Sequence, residues 1–187
     1  MNEPGLASTA TLIRRVHRGE SAAREQLVER CLPLLRRWAH GRLPAYGRDL
    51  SETDDLVQVT LMRALGTLDT FEPERPGAFL AYLRQALLNT LRNELRRNRR
   101  RPATQPLVET DGAGAPLAQE ERDFATELDL YDRGLASLPE RQRQAVILRV
   151  EFGMTFPEIA EEMEMPSADA ARMSVSRSLV ELARVLS

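Results

Sequence analysis

Lysine is absent from all 187 residues, so each of the 26 basic side chains is an arginine. Genome composition suffices to explain that bias, although the guanidinium fork also suits bidentate phosphate and base contacts. A large net charge is missing as well, because 28 acids oppose those 26 arginines and leave −2. That excludes a uniformly basic nucleic-acid binder. With a single cysteine, Cys31, an internal disulfide is impossible and a thiolate metal cluster is not expected. The leucines around it (Leu32, Leu34, Leu35) favour a small buried apolar residue over a redox thiol. No apolar run approaches the roughly 18 residues of a membrane span. The start, MNEPGLASTATLIRRV, lacks the basic-then-apolar order of a secretory signal, so a cytoplasmic protein without membrane contact is expected.

Catalytic patterns are also missing. There is no glycine-rich phosphate loop. His17 and His40 have neither a metal-ligand pattern nor a nucleophile partner. Asp54 and Asp55, adjacent on a helix, point about 100° apart and cannot face each other as paired carboxylates. Neither an enzyme nor a cofactor or metal is expected.

What is present is helical periodicity and segregated charge. No stretch shows the alternating β-branched pattern of strands, so the fold is expected to be all-α. Residues 89–101, NTLRNELRRNRRR, carry six arginines against one glutamate, a net +5. Residues 102–130 carry seven acids against Arg122, a net −6. Leu80, Leu83, Leu87, Leu91 and Leu95 recur at helical spacing, which turns Asn89, Arg92, Asn93, Arg96, Arg97 and Arg100 outward as one stripe. Pro102 and a stretch rich in proline, glycine and polar residues then predict a flexible acidic linker. That linker reads either as a solvated spacer or as a competitor of DNA for the arginine stripe, with Glu109, Asp111, Glu120 and Glu121 as the acids to neutralise.

Upstream, Leu12, Val16, Leu27, Val28, Leu35 and Trp38 predict one or two helices broken near Gly19–Glu20, and Ser51 or Thr53 is placed to cap the next. Downstream, a helix from Pro139 to about Glu151, a second capped by Thr155 and Glu158, and a third from about Ala168 to Leu186 predict a helix-turn-helix. Ala171, Val175, Leu179, Leu182 and Leu186 are expected on the core side of the third. Its opposite face carries Arg172, Met173, Ser176 and Arg177, suited to guanine and thymine-methyl contacts.

Three segments resemble, in order, the bacterial sigma-70 family and its small two-domain extracytoplasmic-function (ECF) group. DDLVQVTLMRAL is similar to the family's D-L-V-Q-E-T-F-L-R-A-W segment, with Val59 where glutamate is usual. FLAYLRQALLNTLRNELRRNRRR resembles the next segment, with Tyr82 in the tryptophan place and Asn93 in the acid place. Residues 138–186 resemble the C-terminal helix-turn-helix domain.

The resemblance implies a tail at 1–7, an N-terminal helical domain at 8–101, the acidic linker at 102–130 and the helix-turn-helix domain at 131–187. It implies a transcription initiation factor whose partners are RNA polymerase core enzyme, promoter DNA as duplex and single strand, and in some cases an anti-sigma factor. Asp54, Asp55, Gln58, Val59 and Met62 would meet the polymerase. Phe79, Tyr82, Asn89, Arg92, Asn93, Arg96, Arg97 and Arg100 would take the minus-ten element, although core packing is the simpler reading of Phe79 and Tyr82. Arg172, Met173, Ser176 and Arg177 would take the minus-thirty-five element. The competing reading is a stand-alone helix-turn-helix regulator with an N-terminal sensing or dimerisation domain.

Overall fold

The computed structural model describes residues 7–42, 50–100 and 114–186, with side chains throughout these spans except at 41–42, 50–52, 94–100, 114–122, 124 and 125. Among the described residues there are eight α-helices and no strand. They are α1 (Thr9–His17), α2 (Ser21–Arg42), α3 (Leu50–Gly66), α4 (Ala78–Arg100), α5 (Gly114–Ser137), α6 (Glu140–Val146), α7 (Phe156–Glu162) and α8 (Ala168–Leu186).

The break between α1 and α2 falls where the sequence places it, at Gly19, whose φ of 82° lies in the left-handed region. Leu27, Cys31, Leu35 and Trp38 form the buried stripe of α2. Burial raises the Cys31 thiol above its ordinary range, with Glu162 adding to the effect, which fits an inert core residue. On α3, Val57, Leu61 and Ala64 point inward. The expected cap is displaced: α3 begins at Leu50, and Thr53 lies buried inside the helix. The segment with Pro44 and Gly47 lies outside the described residues.

The acidic segment departs most from expectation. Helix α5 runs through its second half, and residues 102–113 lie outside the described residues. Leu128 and Leu135 are buried, and α5 crosses α8 so closely at Gly134 that a Cβ there would sit 2.8 Å from Leu186 Cδ2 and 2.9 Å from Leu182 Cδ1. Tertiary packing at that end nucleates a helix, which the Ala, Gln and Glu residues upstream then propagate. Pro116 sits in the first turn, where proline is tolerated.

Two further local corrections follow from packing. The helix expected from Pro139 to Glu151 is α-helical only to Val146, after which Ile147–Glu151 form a π turn. On α8 the inward row is Ala171, Val175, Ser178 and Leu182, leaving Leu179 39% and Leu186 38% exposed. Ser178 is acceptable in that row because its hydroxyl donates to the Ser174 carbonyl at 2.8 Å.

The buried side chains of both halves join in a single cluster that includes Leu12, Trp38, Leu87, Phe152 and Leu182. Polar groups tie the halves together at its edge. Glu151, 3% exposed, accepts from Trp38 Nε1 at 2.7 Å and Arg84 Nε at 2.8 Å through the same oxygen. Glu162 is fully buried; it accepts from Arg30 Nη2 at 3.0 Å, from the Thr9 amide at 3.1 Å and from the Thr9 hydroxyl. Gln144 Nε2 donates to the Gly77 carbonyl at 3.1 Å, and Arg37 Nη1 donates to the Phe152 and Gly153 carbonyls at 3.0 and 2.9 Å. In the charged pairs the N-terminal half supplies the arginines and the C-terminal half the carboxylates.

Candidate nucleic-acid interface

Helix α3 has two used faces. Opposite its buried row stand Asp55, Gln58, Val59 and Met62, all exposed, with Val59 at 42% and Met62 at 72%. Apolar side chains left in water beside polar ones are the composition of a docking face. Asp54 differs from its neighbours, because Arg36 grips its carboxylate with both Nε (3.1 Å) and Nη2 (3.3 Å). Within the chain that residue already fixes α3 to α2.

The aromatic residues before and at the start of α4 form a trio. Phe71, Phe79 and Tyr82 have ring centroids 5.3, 5.6 and 6.2 Å apart, the ordinary spacing of aromatic packing. Phe79 is fully buried, so of its two readings the simpler one, core packing, is what the structure has, and its place among the minus-ten residues is withdrawn. Tyr82 is half-buried against the other two rings.

About two turns further along, the polar stripe begins. Asn89 and Asn93 are exposed, and the Asn89 Oδ1 accepts from Gln85 Nε2 at 3.0 Å, which leaves its amide group to donate outward. The backbone carries Arg96, Arg97 and Arg100 onward along α4, with their side chains outside those described. Arg92 is not a free phosphate contact, because Nη2 lies 3.2 Å from Asp129 Oδ1 and 2.9 Å from Asp132 Oδ2, both on α5. Asp132 also takes Arg84 Nη2 at 2.6 Å. Burial works against the Arg84 charge, yet hydrogen bonds and the charges of Glu151 and Asp132 outweigh it and raise its pKa further. A groove of about 740 Å³ follows this seam, lined by Arg84, Gln85, Arg92, Asp129, Asp132 and Gln144 among others.

The helix-turn-helix is built from α7 and α8. Thr155 caps α7 through the reciprocal pair with Glu158: the Thr155 amide donates to Glu158 Oε2 at 2.6 Å, and the Glu158 amide donates to Thr155 Oγ1 at 3.4 Å. Burial raises the Glu158 pKa, but the Thr155 hydrogen bonds and the charges of Arg30 and Arg37 lower it more, so the carboxyl titrates below its ordinary range. Glu164 takes a φ of 50° in the turn, and the Met165 amide closes it on the Ala160 carbonyl at 2.8 Å. Ser167 Oγ then caps α8 by accepting from the Ala170 amide at 3.1 Å.

Arg172, Met173, Ser176 and Arg177 all stand exposed on one side of α8, as the periodicity predicts. The two arginines have local partners, Asp169 Oδ1 for Arg172 at 3.3 Å and the Met173 carbonyl for Arg177 at 3.3 Å. Such short-range exposed contacts are easily exchanged for a ligand. Sequence reading missed Arg30, Arg84, Asp132, Glu151 and Glu162, for which the one available signal was charge placed inside apolar rows, and it read Trp38 only as part of an apolar face.

Among the described residues there is no group of His, Cys, Asp and Glu able to hold a metal, and no helix long and apolar enough to cross a membrane. Family models match in two places: Sigma-70 region 2 over residues 27–101 and Sigma-70, region 4 over residues 128–182. The ECF RNA polymerase sigma-E factor of Haemophilus influenzae is 28% identical over 183 residues, 91% of this chain and 92% of that protein. The sigma-E factor of Escherichia coli K12 is 28% identical over 164 residues, 83% of this chain and 82% of that protein. The ECF RNA polymerase sigma factor EcfG of Rhodopseudomonas palustris is 34% identical over 110 residues, 57% of this chain and 56% of its own length. Among solved structures, CnrH in complex with the cytosolic domain of CnrY is 26% identical over 95% of this chain and 96% of that one, with a TM-score of 0.40.

Proposed function

Because the chain belongs to the sigma-70 family and its ECF group, as a non-enzymatic initiation factor that directs RNA polymerase to promoters, we propose how its surfaces divide that work. The outer face of α3, with Asp55, Gln58, Val59 and Met62, docks on the polymerase core. Asp54 supports that face from within by anchoring α3 to Arg36. The polar stripe of α4 takes the minus-ten element. There Asn89 and Asn93 meet base edges, while Arg92, Arg96, Arg97 and Arg100 follow phosphates, which position a protein without naming a base. Tyr82 is the one aromatic of the trio placed to offer a ring edge to an unstacked base. Arg172, Met173, Ser176 and Arg177 enter the major groove at the minus-thirty-five element.

The observation that carries this division is the exposure of Met62 and Val59 on a helix whose other face is already core. Residues 8–101 and 131–187 would act as the two working units, with α5 reaching back from the second toward the first. Promoter melting follows if the α4 stripe holds one strand better than the duplex. Work on promoters with polymerase places the protein in the cytoplasm. An anti-sigma partner, if the cell makes one, would have to cover the α3 face or the α4 stripe to silence it.

Purified core polymerase provides the test. Asp55→Arg with Gln58→Ala is expected to leave folding intact and to weaken core capture at least tenfold, the scale of a like-charge clash and a lost polar contact at an interface. Unchanged capture would remove α3 from the interface. Failure of the unmutated protein to support promoter-dependent transcription by core enzyme would favour the stand-alone regulator instead.

A further inference from the structure

The first turn of α8 holds an acid whose usual duty is already taken. Ser167 Oγ caps the helix by accepting from the Ala170 amide at 3.1 Å, and Asp169 accepts from no backbone amide among the described residues. The Asp169 side chain is 86% exposed, and its partner is Arg172 Nε at 3.3 Å, one turn along. Asp169 lies three and four positions before Arg172 and Met173, so it heads the same exposed row that ends in Ser176 and Arg177. A carboxylate on a face that enters a groove between rows of phosphates weakens every DNA complex unless a donor in the groove meets it.

The pair also governs how Arg172 is presented. With Nε engaged by Asp169, its two terminal nitrogens have no partner among the described residues, and they can donate side by side to guanine O6 and N7. Arg177 is likewise held through Nε, by the Met173 carbonyl at 3.3 Å. Only Arg172 is held by a group with an oxygen to spare. Oδ1 takes the arginine, and Oδ2 is left for another donor. Three helical residues advance about 4.5 Å, close to the ~3.4 Å step between base pairs, which brings Oδ2 beside the pair next to the guanine. The donors there are exocyclic amines. Cytosine N4 suits a carboxylate better than adenine N6, because adenine N7, an acceptor, stands beside that amine.

We propose that Asp169 is a specificity-determining residue of the minus-thirty-five contact: it orients Arg172 on a guanine and reads a cytosine at the neighbouring base pair through Oδ2. Resting on α8 as the major-groove helix, this makes Asp169 and Arg172 one reading unit. The acid weakens the hold on DNA in general and improves the choice of sequence.

The test selects minus-thirty-five sequences from a library randomised in that element, using the full-length protein bound to core polymerase, with affinity for DNA lacking the element measured in parallel. The unmutated protein is expected to select a guanine and a cytosine at neighbouring pairs. Asp169→Ala is expected to reduce the cytosine preference roughly five- to thirtyfold, within the range for one mismatched pair, and the guanine preference by less. Binding to DNA without the element is expected to rise roughly two- to threefold at ~50 mM salt, since one negative charge leaves the face. Asp169→Asn keeps an oxygen for Arg172 and gains an amide donor, so it is expected to retain the guanine and to move the neighbouring preference from cytosine to adenine. A role confined to the helix dipole predicts no such change of base.

Glu127→Gln removes an exposed acid on α5 and is expected to leave the profile unchanged. The proposal is overturned if both Asp169 variants scale all sequences equally, or if their effect is confined to the guanine position. Arg172→Ala separates the two levels. Loss of the guanine preference there, with no effect of the Asp169 variants, rejects only the role of Asp169. An unchanged profile with Arg172→Ala rejects the assignment of Arg172 to base contact, and the reading unit with it.

Discussion

The outer faces of α8 and α4 carry similar side chains in dissimilar settings. On α8, Arg172 and Arg177 contact only residues three or four positions away. On α4, Arg92 is held by residues 37 and 40 positions later. The first face is set by helical geometry and stands ready for a ligand. The second is set by how the two halves of the molecule meet, so its availability depends on that meeting. Surfaces of like composition can thus differ in whether binding begins with a free group or with an exchange.

Removing the anchor between the halves tests that difference most severely. Glu151→Ala leaves Arg84 and the Trp38 indole facing a buried site without their shared acceptor, and loss of one member of a buried charged pair costs about 3–5 kcal/mol. Chemical denaturation is expected to show this as a lower midpoint. A loss below about 1 kcal/mol would mean that the halves do not depend on each other as described.

Salt dependence sharpens the comparison at intermediate scale. On duplex promoter DNA, Arg177→Ala is expected to reduce the slope of log affinity against log salt by about one unit, with or without core enzyme. Arg92→Ala is expected to do so only with core enzyme, because in the free protein its charge is already neutralised by α5. Equal slope changes in the free protein would erase the distinction.

The smallest effect concerns the support beneath α8. Glu158→Gln weakens the α7 capping box and is expected to cost about 1 kcal/mol at neutral pH. The folded Glu158 carboxyl lies below its ordinary range, so it binds protons less readily than in the unfolded chain. Its contribution is therefore complete above the unfolded value of roughly 4.3 and declines as pH falls through the lower folded value. Thermal melts of the two proteins should converge in acid.

Much of the architecture was legible because it is local. The break at Gly19, the inward row of α3, the Thr155 to Glu158 cap and the outward side of α8 all follow from spacing of three or four along one helix. Leu179 was misplaced because two rows compete on α8, and packing against the neighbouring helices buries the one that contains Ser178. Phe79 was the harder case, since an aromatic at a helix start looks the same whether a base or Phe71 covers it. The seam between the halves had no periodic signature at all. Glu151 meets Trp38 from 113 positions away, and Glu162 meets Arg30 from 132. A carboxylate in an apolar row marks that something must neutralise it, but not what.

The π turn at Ile147–Glu151 carries a consequence for how this chain can vary. A regular helix advances about 100° per residue, and the wider turn shifts that phase just where Glu151 must reach Trp38 and Arg84. Deleting one residue there would make a better helix and a worse protein, swinging the carboxylate away from both donors. Sequence drift toward local regularity is thus opposed at this turn by a long-range fit, and the irregularity persists as the setting of an angle.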